Sequence, residues 1–415
     1  MNKKPFFHRK CCRLCSSSDL ISVLSLKSTP PANAFVPKTS LNIQQKLYPL
    51  DLFFCNKCYH IQLLDVVDPS ELFEEYVYVS GTSPVFIKHF EEYCKYIIER
   101  FNPSLNEIIV DIGSNDGTLL EFFKRQGYSV LGIDPAKQIS LQANKNGIKT
   151  INEFFTIKVA NDILNSHSKA TVITANNVFA HADDLIGITK AVKHLLSPDG
   201  IFVFEVSYLV DVLEKTLFDT IYHEHLAYHS VTPLIKFFQS MDMELIEVSR
   251  VNTHGGSIRG VAKLAKSNRP LDSSVNELFI LEDSLKLNEP KTFYDFASAI
   301  KSRKNELMQC LNTIKSKGKR IAAFGAPAKA TTLMYEFGLD SRYIDFIVDD
   351  SPLKQGLFSP GLHIPVLSSS SIKERKPDYL LILAWNFSKS IIEKHSSFMK
   401  SNGKFIIPLP KLEIY

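Results

Sequence analysis

The densest group of titratable side chains in this chain lies between Tyr222 and His229. Three histidines, two tyrosines and one glutamate fall within these eight residues. Histidine is the side chain whose ordinary pKa suits proton transfer near neutral pH, and a neighbouring Glu or Tyr can orient it. Two other interpretations are a metal site, although His223-Glu224-His225 lacks the i, i+4 histidine pair of zinc proteases, and a polar surface segment. We take proton transfer as the leading hypothesis.

A glycine turn that follows an apolar run is the second candidate for chemistry. Ile108–Ile112 has the composition of a strand buried on both faces, and the pattern Asp111-x-Gly113-x-x-x-Gly117 leads into a helical pattern from Thr118. Strand, glycine turn and helix bring a ligand against bare backbone at a helix N-terminus. The spacing matches neither the dinucleotide glycine pattern nor a P-loop. An ordinary buried turn between a strand and a helix is the alternative.

An acidic residue at the end of the next apolar run supports a ligand at this turn. Ser129–Ile133 is followed directly by Asp134. A carboxylate in that place can accept hydrogen bonds from ribose hydroxyls. Together with the turn it predicts a Rossmann-like site for an adenosine ligand without a pyrophosphate, most simply S-adenosylmethionine.

Two Cys-x-x-Cys pairs predict a metal centre. Each pair lies in a short polar turn, so its two thiolates can point at one ion, and two such turns form a tetrahedral four-sulfur zinc site. The predicted ligands are Cys12, Cys15, Cys55 and Cys58. Cys11 competes with Cys12, and scattered reduced cysteines are the alternative. Four sulfur ligands leave no position for substrate, so the predicted role is structural.

Length and composition restrict the class of protein. The 415 residues suffice for two or three domains, and a net charge of +4 is too small on so long a chain to indicate nucleic acid or an anionic membrane as partner. No apolar run approaches the roughly 20 residues of a membrane span. The basic N-terminus leads into cysteines, whose use fits a reducing compartment. We therefore expect a cytoplasmic protein.

Alternating strand and helix patterns predict a parallel, doubly wound sheet from about residue 102. The segment Asn176–Asp184 follows one of its strands, at the edge where such sheets bind ligands, and His181 within it is either a substrate residue or a lone polar loop residue. A glycine-rich turn at residues 251–260, which includes His254 and Arg259, could let backbone approach a substrate phosphate or sugar. A charged helical stretch, 267–318, then leads to a second strand–glycine–helix unit that opens at Lys319 and has Gly325 in its turn.

Taken together, these motifs resemble the zinc-containing sugar C-methyltransferases of deoxysugar biosynthesis, which act on nucleotide-linked 4-keto-6-deoxyhexoses. The resemblance covers nearly the whole chain. Besides the two cysteine pairs it rests on Tyr76-Val-Tyr-x-Ser-Gly-Thr-Ser, Asp111-Ile-Gly-Ser-Asn-Asp-Gly117, Asn176-Asn-Val-Phe-Ala-His181, Tyr222-His-Glu-His225, His254-Gly-Gly-Ser-x-Arg259 and Gly325-Ala-Pro-Ala-Lys-Ala330.

The resemblance implies an α/β protein of three domains. They are a zinc-binding domain (1–68), a central Rossmann-like S-adenosylmethionine domain (69–265) and a C-terminal Rossmann-like domain with a helical linker (266–415). The nucleotide sugar is expected in the cleft between the last two domains, dTDP-linked and methylated at C3. The sequence leaves open which branched sugar results, whether carbon 3 or carbon 5 is methylated, and which nucleotide carries the sugar.

The resemblance also implies roles for individual residues. His225 is the predicted base, with Tyr222 and Glu224 orienting it or supporting an enolate, and Tyr76 and His181 are placed in the same pocket by their match to family motifs. The predicted cofactor residues are Asp111, Gly113, Asn115, Gly117, Asp134, Asn176 and Asn177. The predicted cations for the substrate pyrophosphate are Arg259, Lys329 and Lys354.

Two other functions compete with this interpretation. An O- or N-methyltransferase acts on an acceptor that is already nucleophilic, so a base as well placed as the His225 cluster would be less necessary. A non-catalytic zinc- and nucleotide-binding protein would keep the fold but not the chemistry.

Overall fold

The computed structural model describes residues 6–69, 72, 81, 84–253 and 255–415. Its strands are β1 Phe6–His8, β2 Leu20–Thr29, β3 Tyr48–Cys55, β4 Ile61–Leu63, β5 Asp65–Val67, β6 Ile108–Ile112, β7 Ser129–Ile133, β8 Thr150–Ile151, β9 Ala170–Asn176, β10 Leu196–Ser207, β11 Ala227–Tyr228, β12 Met243–Val251, β13 Ser257–Leu264, β14 Ile321–Phe324, β15 Ile347–Val348, β16 Val366–Leu367, β17 Tyr379–Ile382, β18 Lys404–Ile407 and β19 Glu413–Ile414.

The α-helices within these ranges are α1 Pro84–Phe101, α2 Thr118–Arg125, α3 Lys137–Lys145, α4 Ile157–Ser166, α5 Leu185–Leu195, α6 Leu209–Glu214, α7 Val231–Ser240, α8 Ser274–Ser284, α9 Pro290–Ser316, α10 Ala328–Phe337, α11 Ser371–Arg375, α12 Ser388–Lys394 and α13 Ser396–Lys400. Short 3-10 helices span Lys38–Ser40, Phe218–Thr220 and Trp385–Phe387. In the part of the chain that the structure describes, no helix combines the length and the apolar character needed to cross a membrane.

The N-terminal sheet is antiparallel, with the strand order β11-β4-β3-β2. Alternate residues of β3 are buried, as the period-two geometry of a strand predicts for a sheet with one covered face. Its edge strand β11 comes from much later in the chain and begins two residues after His225. The segment with the densest titratable cluster is therefore fastened to the N-terminal sheet.

The central sheet has the order β12-β13-β10-β9-β6-β7-β8. The strands β10, β9, β6, β7 and β8 pair in parallel, whereas β13 pairs antiparallel with both β10 and β12. All five residues of β6 are buried, because helices cover both faces of the sheet at its centre. The predicted Rossmann-like arrangement is confirmed, with an antiparallel pair at one edge.

The predicted helical stretch between the central and C-terminal sheets forms two helices, α8 and the 27-residue α9. Buried residues of α9 pack on the N-terminal sheet, where the rings of Phe54 and Phe293 lie 5.7 Å apart between centroids. The C-terminal sheet follows in the order β16-β15-β14-β17-β18-β19, parallel except at β19. The chain thus contains a second Rossmann-like unit, as the resemblance implied.

Candidate active site and metal centre

The four predicted cysteine ligands converge on one point. Their sulfur atoms all lie within 4.8 Å of one another, with 3.6 Å between the Sγ atoms of Cys12 and Cys58 and 3.5 Å between those of Cys15 and Cys55. A tetrahedral zinc ion with Zn–S bonds of about 2.3 Å separates its sulfur ligands by about 3.8 Å, so this cluster fits zinc. Cys11 lies outside the cluster. A four-sulfur set leaves no open coordination position, which makes the zinc structural.

The glycine turn after β6 adopts a conformation that favours glycine. Gly113 has φ of 69° and Gly117 has φ of 81°. A Cβ atom on Gly113 would lie 2.2 Å from Cγ2 of Val178, so a larger residue would collide with the loop that follows β9. The turn therefore brings backbone without side chains to the start of α2, beside the carboxyl end of the parallel strands.

Two buried carboxylates flank this turn. Asp134 accepts hydrogen bonds from the amides of Asn115 (2.9 Å) and Ala136 (2.8 Å), one on each oxygen. Asp111 accepts a 2.6 Å hydrogen bond from the Thr174 hydroxyl, and burial raises its pKa to about 7. Burial also raises the pKa of Asp134, although the two amides act in the opposite direction. Both groups can still accept further hydrogen bonds through their second lone pairs.

Two of the predicted cofactor residues, Asn176 and Asn177, follow at the end of β9. Both polar atoms of the Asn176 side chain are buried and make no hydrogen bond within the described ranges. Asn177 adopts a left-handed conformation with φ of 55°, and its amide donates to the Glu205 carbonyl. A buried amide without a partner is costly, so the Asn176 side chain fits a site completed by a polar ligand. These residues fit the adenosine-type cofactor that the turn predicts.

His225 lies in an aromatic group beside this site. Its ring centroid is 4.9 Å from that of His181, which stacks on it, and 4.1 Å from that of Tyr222. The Nδ1 atom of His225 donates to the Thr220 carbonyl at 2.7 Å, because a carbonyl oxygen can only accept. In the neutral ring the lone pair is then on Nε2, the form required of a general base. Tyr76, predicted in the same pocket, lies outside the described residues.

The other histidines of the cluster are core residues. His223 lies against the Tyr48 carbonyl (3.3 Å) and His229 against the Phe179 carbonyl (3.2 Å). Burial lowers the pKa of each to about 4, so both rings are neutral at physiological pH. Only His225 of the three shares the aromatic group with His181. The clustering of the three histidines in the sequence did not distinguish His225 from the two core residues.

Glu224 points toward the N-terminal region. It is 3% exposed and accepts a 2.9 Å hydrogen bond from the Asn33 side chain. Burial raises its pKa to about 7, with the Asn33 hydrogen bond acting in the opposite direction. A carboxyl group with such a pKa is partly protonated at neutral pH and can then donate a hydrogen bond.

Arg259 is committed to an ion pair within the central sheet. Its Nε and guanidinium nitrogen atoms lie 2.7 Å and 2.6 Å from one Glu205 oxygen, while His89 Nε2 lies 2.7 Å from the other. The guanidinium also lies over the Tyr93 ring, 4.0 Å from its centroid. Because its charge is already balanced by a buried carboxylate, Arg259 does not suit the predicted pyrophosphate role, and we leave it out of the proposed substrate site.

The two lysines lie near the glycine turn at Gly325. Lys329 has its Nζ atom 3.9 Å from a carboxylate oxygen of Asp219 and 3.6 Å from the Trp385 ring centroid. Burial lowers the pKa of Lys329 to about 8, and Asp219 acts in the opposite direction. Lys354 donates to the Ala326 carbonyl at 2.8 Å. Both amines therefore lie at the start of α10, at the carboxyl end of β14.

The segment 218–226 is held by the N-terminal and C-terminal parts of the chain. From the C-terminal unit, Trp385 Nε1 donates to Asp219 (2.5 Å) and the Thr332 hydroxyl donates to the Ile221 carbonyl (2.7 Å). From the N-terminal sheet, the Leu63 amide donates to the Leu226 carbonyl (2.9 Å). The candidate base therefore lies where all three sheets meet.

Three family models match consecutive parts of the chain. Residues 12–73 match a "Putative zinc binding domain", residues 86–248 a "Methyltransferase domain" and residues 252–410 a "C-methyltransferase C-terminal domain". The four-cysteine cluster falls in the first, the glycine turn in the second and the Lys329 region in the third.

Individual proteins are also similar to the chain. The chain is 34% identical over 400 residues to the C-methyltransferase NovU of Streptomyces niveus, covering 96% of this chain and 95% of that protein. A ubiquinone biosynthesis O-methyltransferase of Actinobacillus pleuropneumoniae is 31% identical over 115 residues, 26% of this chain and 49% of that protein. A solved S-adenosylmethionine-dependent methyltransferase from Clostridium acetobutylicum is 16% identical with a TM-score of 0.35, covering 43% of this chain and 92% of that one.

Similarity to NovU extends across all three parts of the chain, including the zinc centre, the cofactor turn and the segment that carries His225. The chain belongs to the C-methyltransferase family with an N-terminal zinc-binding domain, and it is an S-adenosylmethionine-dependent C-methyltransferase.

Proposed function

We propose that the enzyme methylates C3 of a dTDP-linked 4-keto-6-deoxyhexose, in the biosynthesis of a branched-chain deoxysugar. The observation that carries this proposal is the His225 ring, whose Nδ1 is bound to the Thr220 carbonyl while the ring stacks on His181. Transfer of a methyl group to carbon requires removal of a C–H proton, which an oxygen or nitrogen acceptor does not demand. A hydrogen next to a ketone is the one that a histidine can remove.

The residues divide the proposed reaction between them. His225 Nε2 takes the proton from C3, and the electrons of that C–H bond move to the C4 ketone oxygen as an enolate. We assign the stabilisation of this oxygen to hydrogen bonds donated by Tyr222, whose ring lies beside His225, and by the protonated form of Glu224. When bound, S-adenosylmethionine supplies an electrophilic methyl group on a positively charged sulfur, which C3 accepts. Asp134, the Gly113 turn and Asn176 would hold that cofactor.

Substrate binding is assigned to the C-terminal unit. Lys329 and Lys354 flank the turn at the start of α10, and fixed cations suit paired phosphates. Lys329 Nζ lies 3.9 Å from Asp219 in the segment that leads to His225, which supports a substrate whose diphosphate contacts α10 and whose sugar extends toward His225. Domain limits of 1–68, 69–265 and 266–415 are part of this proposal.

Deuterium exchange in the absence of cofactor tests the proton removal. A dTDP-linked 4-keto-6-deoxyhexose is incubated with enzyme in D2O, and deuterium at C3 is followed by NMR. The unaltered enzyme is expected to exchange this hydrogen, and His225→Gln is expected to abolish the exchange. His194→Gln is the matched control, because His194 lies on the exposed end of α5, bonded to Asn161.

Two results would count against the proposal. Near-normal exchange in His225→Gln would remove His225 as the base. A lack of exchange in the unaltered enzyme, together with methyl transfer to an oxygen or nitrogen, would favour the O- or N-methyltransferase alternative.

A further inference from the structure

Arg13 is an unusual residue to find between two zinc ligands. It lies between Cys12 and Cys15 and is 0% exposed. Burying a guanidinium is costly unless its charge is paired and its N–H groups are bonded. If the turn only had to present two cysteines to the metal, an apolar residue would suffice at this buried position. The contacts of the Arg13 side chain therefore indicate what the buried charge is for.

One nitrogen of the guanidinium reaches the loop that carries His181. It lies 3.0 Å from an oxygen of Asp183, and Arg9 lies 3.1 Å from the other oxygen of the same carboxylate. Arg9 also donates to the Asp183 backbone carbonyl at 3.1 Å. Asp183 follows His181 by two residues and immediately precedes the residue that caps α5. Two arginines from the N-terminal region thus hold this loop against the metal centre.

The other guanidinium nitrogen reaches the strand that supports His225. It donates to the Leu63 carbonyl and, at 3.2 Å, to Gln62. The amide of Leu63 donates to the Leu226 carbonyl at 2.9 Å, one residue after His225.

The loops of the two stacked histidines are also joined directly. The Ala180 carbonyl, one residue before His181, accepts hydrogen bonds from the amides of Leu226 (2.9 Å) and Ala227 (3.0 Å). The supports of both rings therefore meet at the Arg13 side chain.

We propose that Arg13 is a positioning residue for the His181–His225 pair, linking the zinc centre to the candidate base through Asp183 and Leu63. Zinc binding fixes the backbone on both sides of Arg13, and Arg13 then fixes the distance between the two loops. This inference rests on the proposed function, because it assigns a task to the pair that would remove the proton. It gives the zinc centre a role in catalysis without contact with substrate.

The test is a double-mutant cycle on the zinc-replete enzyme. Arg13→Met and Asp183→Asn are made singly and together, and Arg342→Met with Asp340→Asn is the matched control, a surface pair of the same chemistry. Zinc per chain, the dissociation constant for S-adenosylmethionine and the C3 deuterium-exchange rate across pH are measured for each. The exchange rate and its pH midpoint are readouts that a purely structural contact would leave unchanged in a folded protein.

We expect zinc content to stay at one per chain and cofactor affinity to stay within about twofold in both single variants. The exchange rate should fall about 10- to 100-fold with a shifted pH midpoint, since small misplacements of a catalytic group have effects of that size. The double variant should be no slower than the slower single variant, because both changes break one link. The control pair should exchange at the unaltered rate.

Normal exchange rates and pH midpoints in zinc-replete Arg13→Met and Asp183→Asn would overturn the positioning role. If Arg13→Met fails to fold, Arg13→Lys decides: it keeps the charge but loses the fork, so slowed exchange supports the role and unaltered exchange refutes it. A lack of exchange in the unaltered enzyme, together with methyl transfer to an oxygen or nitrogen, is a different result, because it refutes the proposed function itself.

Discussion

Glu224 connects stability with the proposed chemistry through its raised pKa. Its folded-state pKa is about 7, compared with an ordinary value of 4.5, because the carboxyl is buried. Between these two pH values the folded protein binds a proton at Glu224 that the unfolded chain has released. The contribution of Glu224 to stability therefore falls as the pH rises from about 4.5 to about 7 and stays low above that range.

Glu224→Gln removes this titration and keeps an oxygen that can accept from Asn33. The folded and unfolded pKa values of Glu224 differ by about 2.5. Its burial therefore lowers the free energy of unfolding of the parent protein by about 3 kcal/mol at pH 8 and by about 1 kcal/mol at pH 5, relative to low pH. The free energy of unfolding of the variant, relative to the parent, should thus rise by about 2 kcal/mol between pH 5 and pH 8. Any constant cost of the new amide cancels in this comparison.

The assay is urea unfolding at both pH values, followed through Trp385, the single tryptophan of the chain. Glu92→Gln is the control, since Glu92 is a solvent-exposed residue in a surface pair with Lys88, and its effect should be nearly equal at pH 5 and pH 8. Glu224→Gln should also lower turnover, because an amide is a weaker donor to an enolate than a carboxylic acid. An equal stability change at both pH values for Glu224→Gln would refute the reasoning about its burial.

Three further substitutions test the remaining assignments. Asp134→Asn should raise the dissociation constant for S-adenosylmethionine about 10- to 100-fold, because charged hydrogen bonds are lost, while sugar binding stays unchanged. Calorimetry measures both affinities. An equal loss of affinity for the cofactor and for the sugar would contradict a ribose role. Cys15→Ser should lose zinc by native mass spectrometry and unfold at lower temperature, and a stable variant that retains zinc would contradict the four-sulfur site. Arg259→Met should destabilise the fold by about 3–5 kcal/mol, because the buried Glu205 loses its guanidinium partner and keeps only the contact with His89. Glu205→Gln should restore most of that loss. A raised KM for the nucleotide sugar at unchanged stability would instead return Arg259 to the substrate site.

The features that sequence predicted well depend on local pattern. The run Ile108–Ile112 is apolar at every position except Asp111, and it forms a strand buried at the centre of the sheet. The glycine spacing that follows requires left-handed backbone, which the structure has at Gly113 and Gly117. The cysteine pairs were identified by spacing alone, since four thiolates at two turns have few other uses.

The features that sequence could not predict depend on distant partners. The strand β11 has two residues, too few for a periodic pattern, yet it joins the N-terminal sheet beside His225. The partner of Glu224 is Asn33, 191 residues away in the chain. Asp219 was missed because its partner is the distant Trp385 indole of the C-terminal unit. Thr220 was missed because it binds His225 through its backbone carbonyl, which carries no side-chain signal.

For Arg259, the sequence did contain an indication of its structural role. It lies in Ser257–Leu264, which contains Ile258, Val261, Ala262 and Leu264 and forms a strand with seven of its eight residues buried. An arginine in such a run is seldom fully buried without a carboxylate partner, and Glu205 lies directly opposite in the register of β10 and β13. The composition of the strand favoured a structural ion pair, whereas the glycine-rich turn before it favoured a phosphate site.

The most direct test of the central claim is the position of the transferred methyl group. Enzyme, S-adenosylmethionine labelled with 13C in its methyl group and a 13C-labelled dTDP-linked 4-keto-6-deoxyhexose are combined, and the product is examined by NMR. The proposed function predicts a one-bond carbon–carbon coupling between the new methyl carbon and C3 of the sugar. A labelled methyl group bound to oxygen or nitrogen, without that coupling, would contradict it.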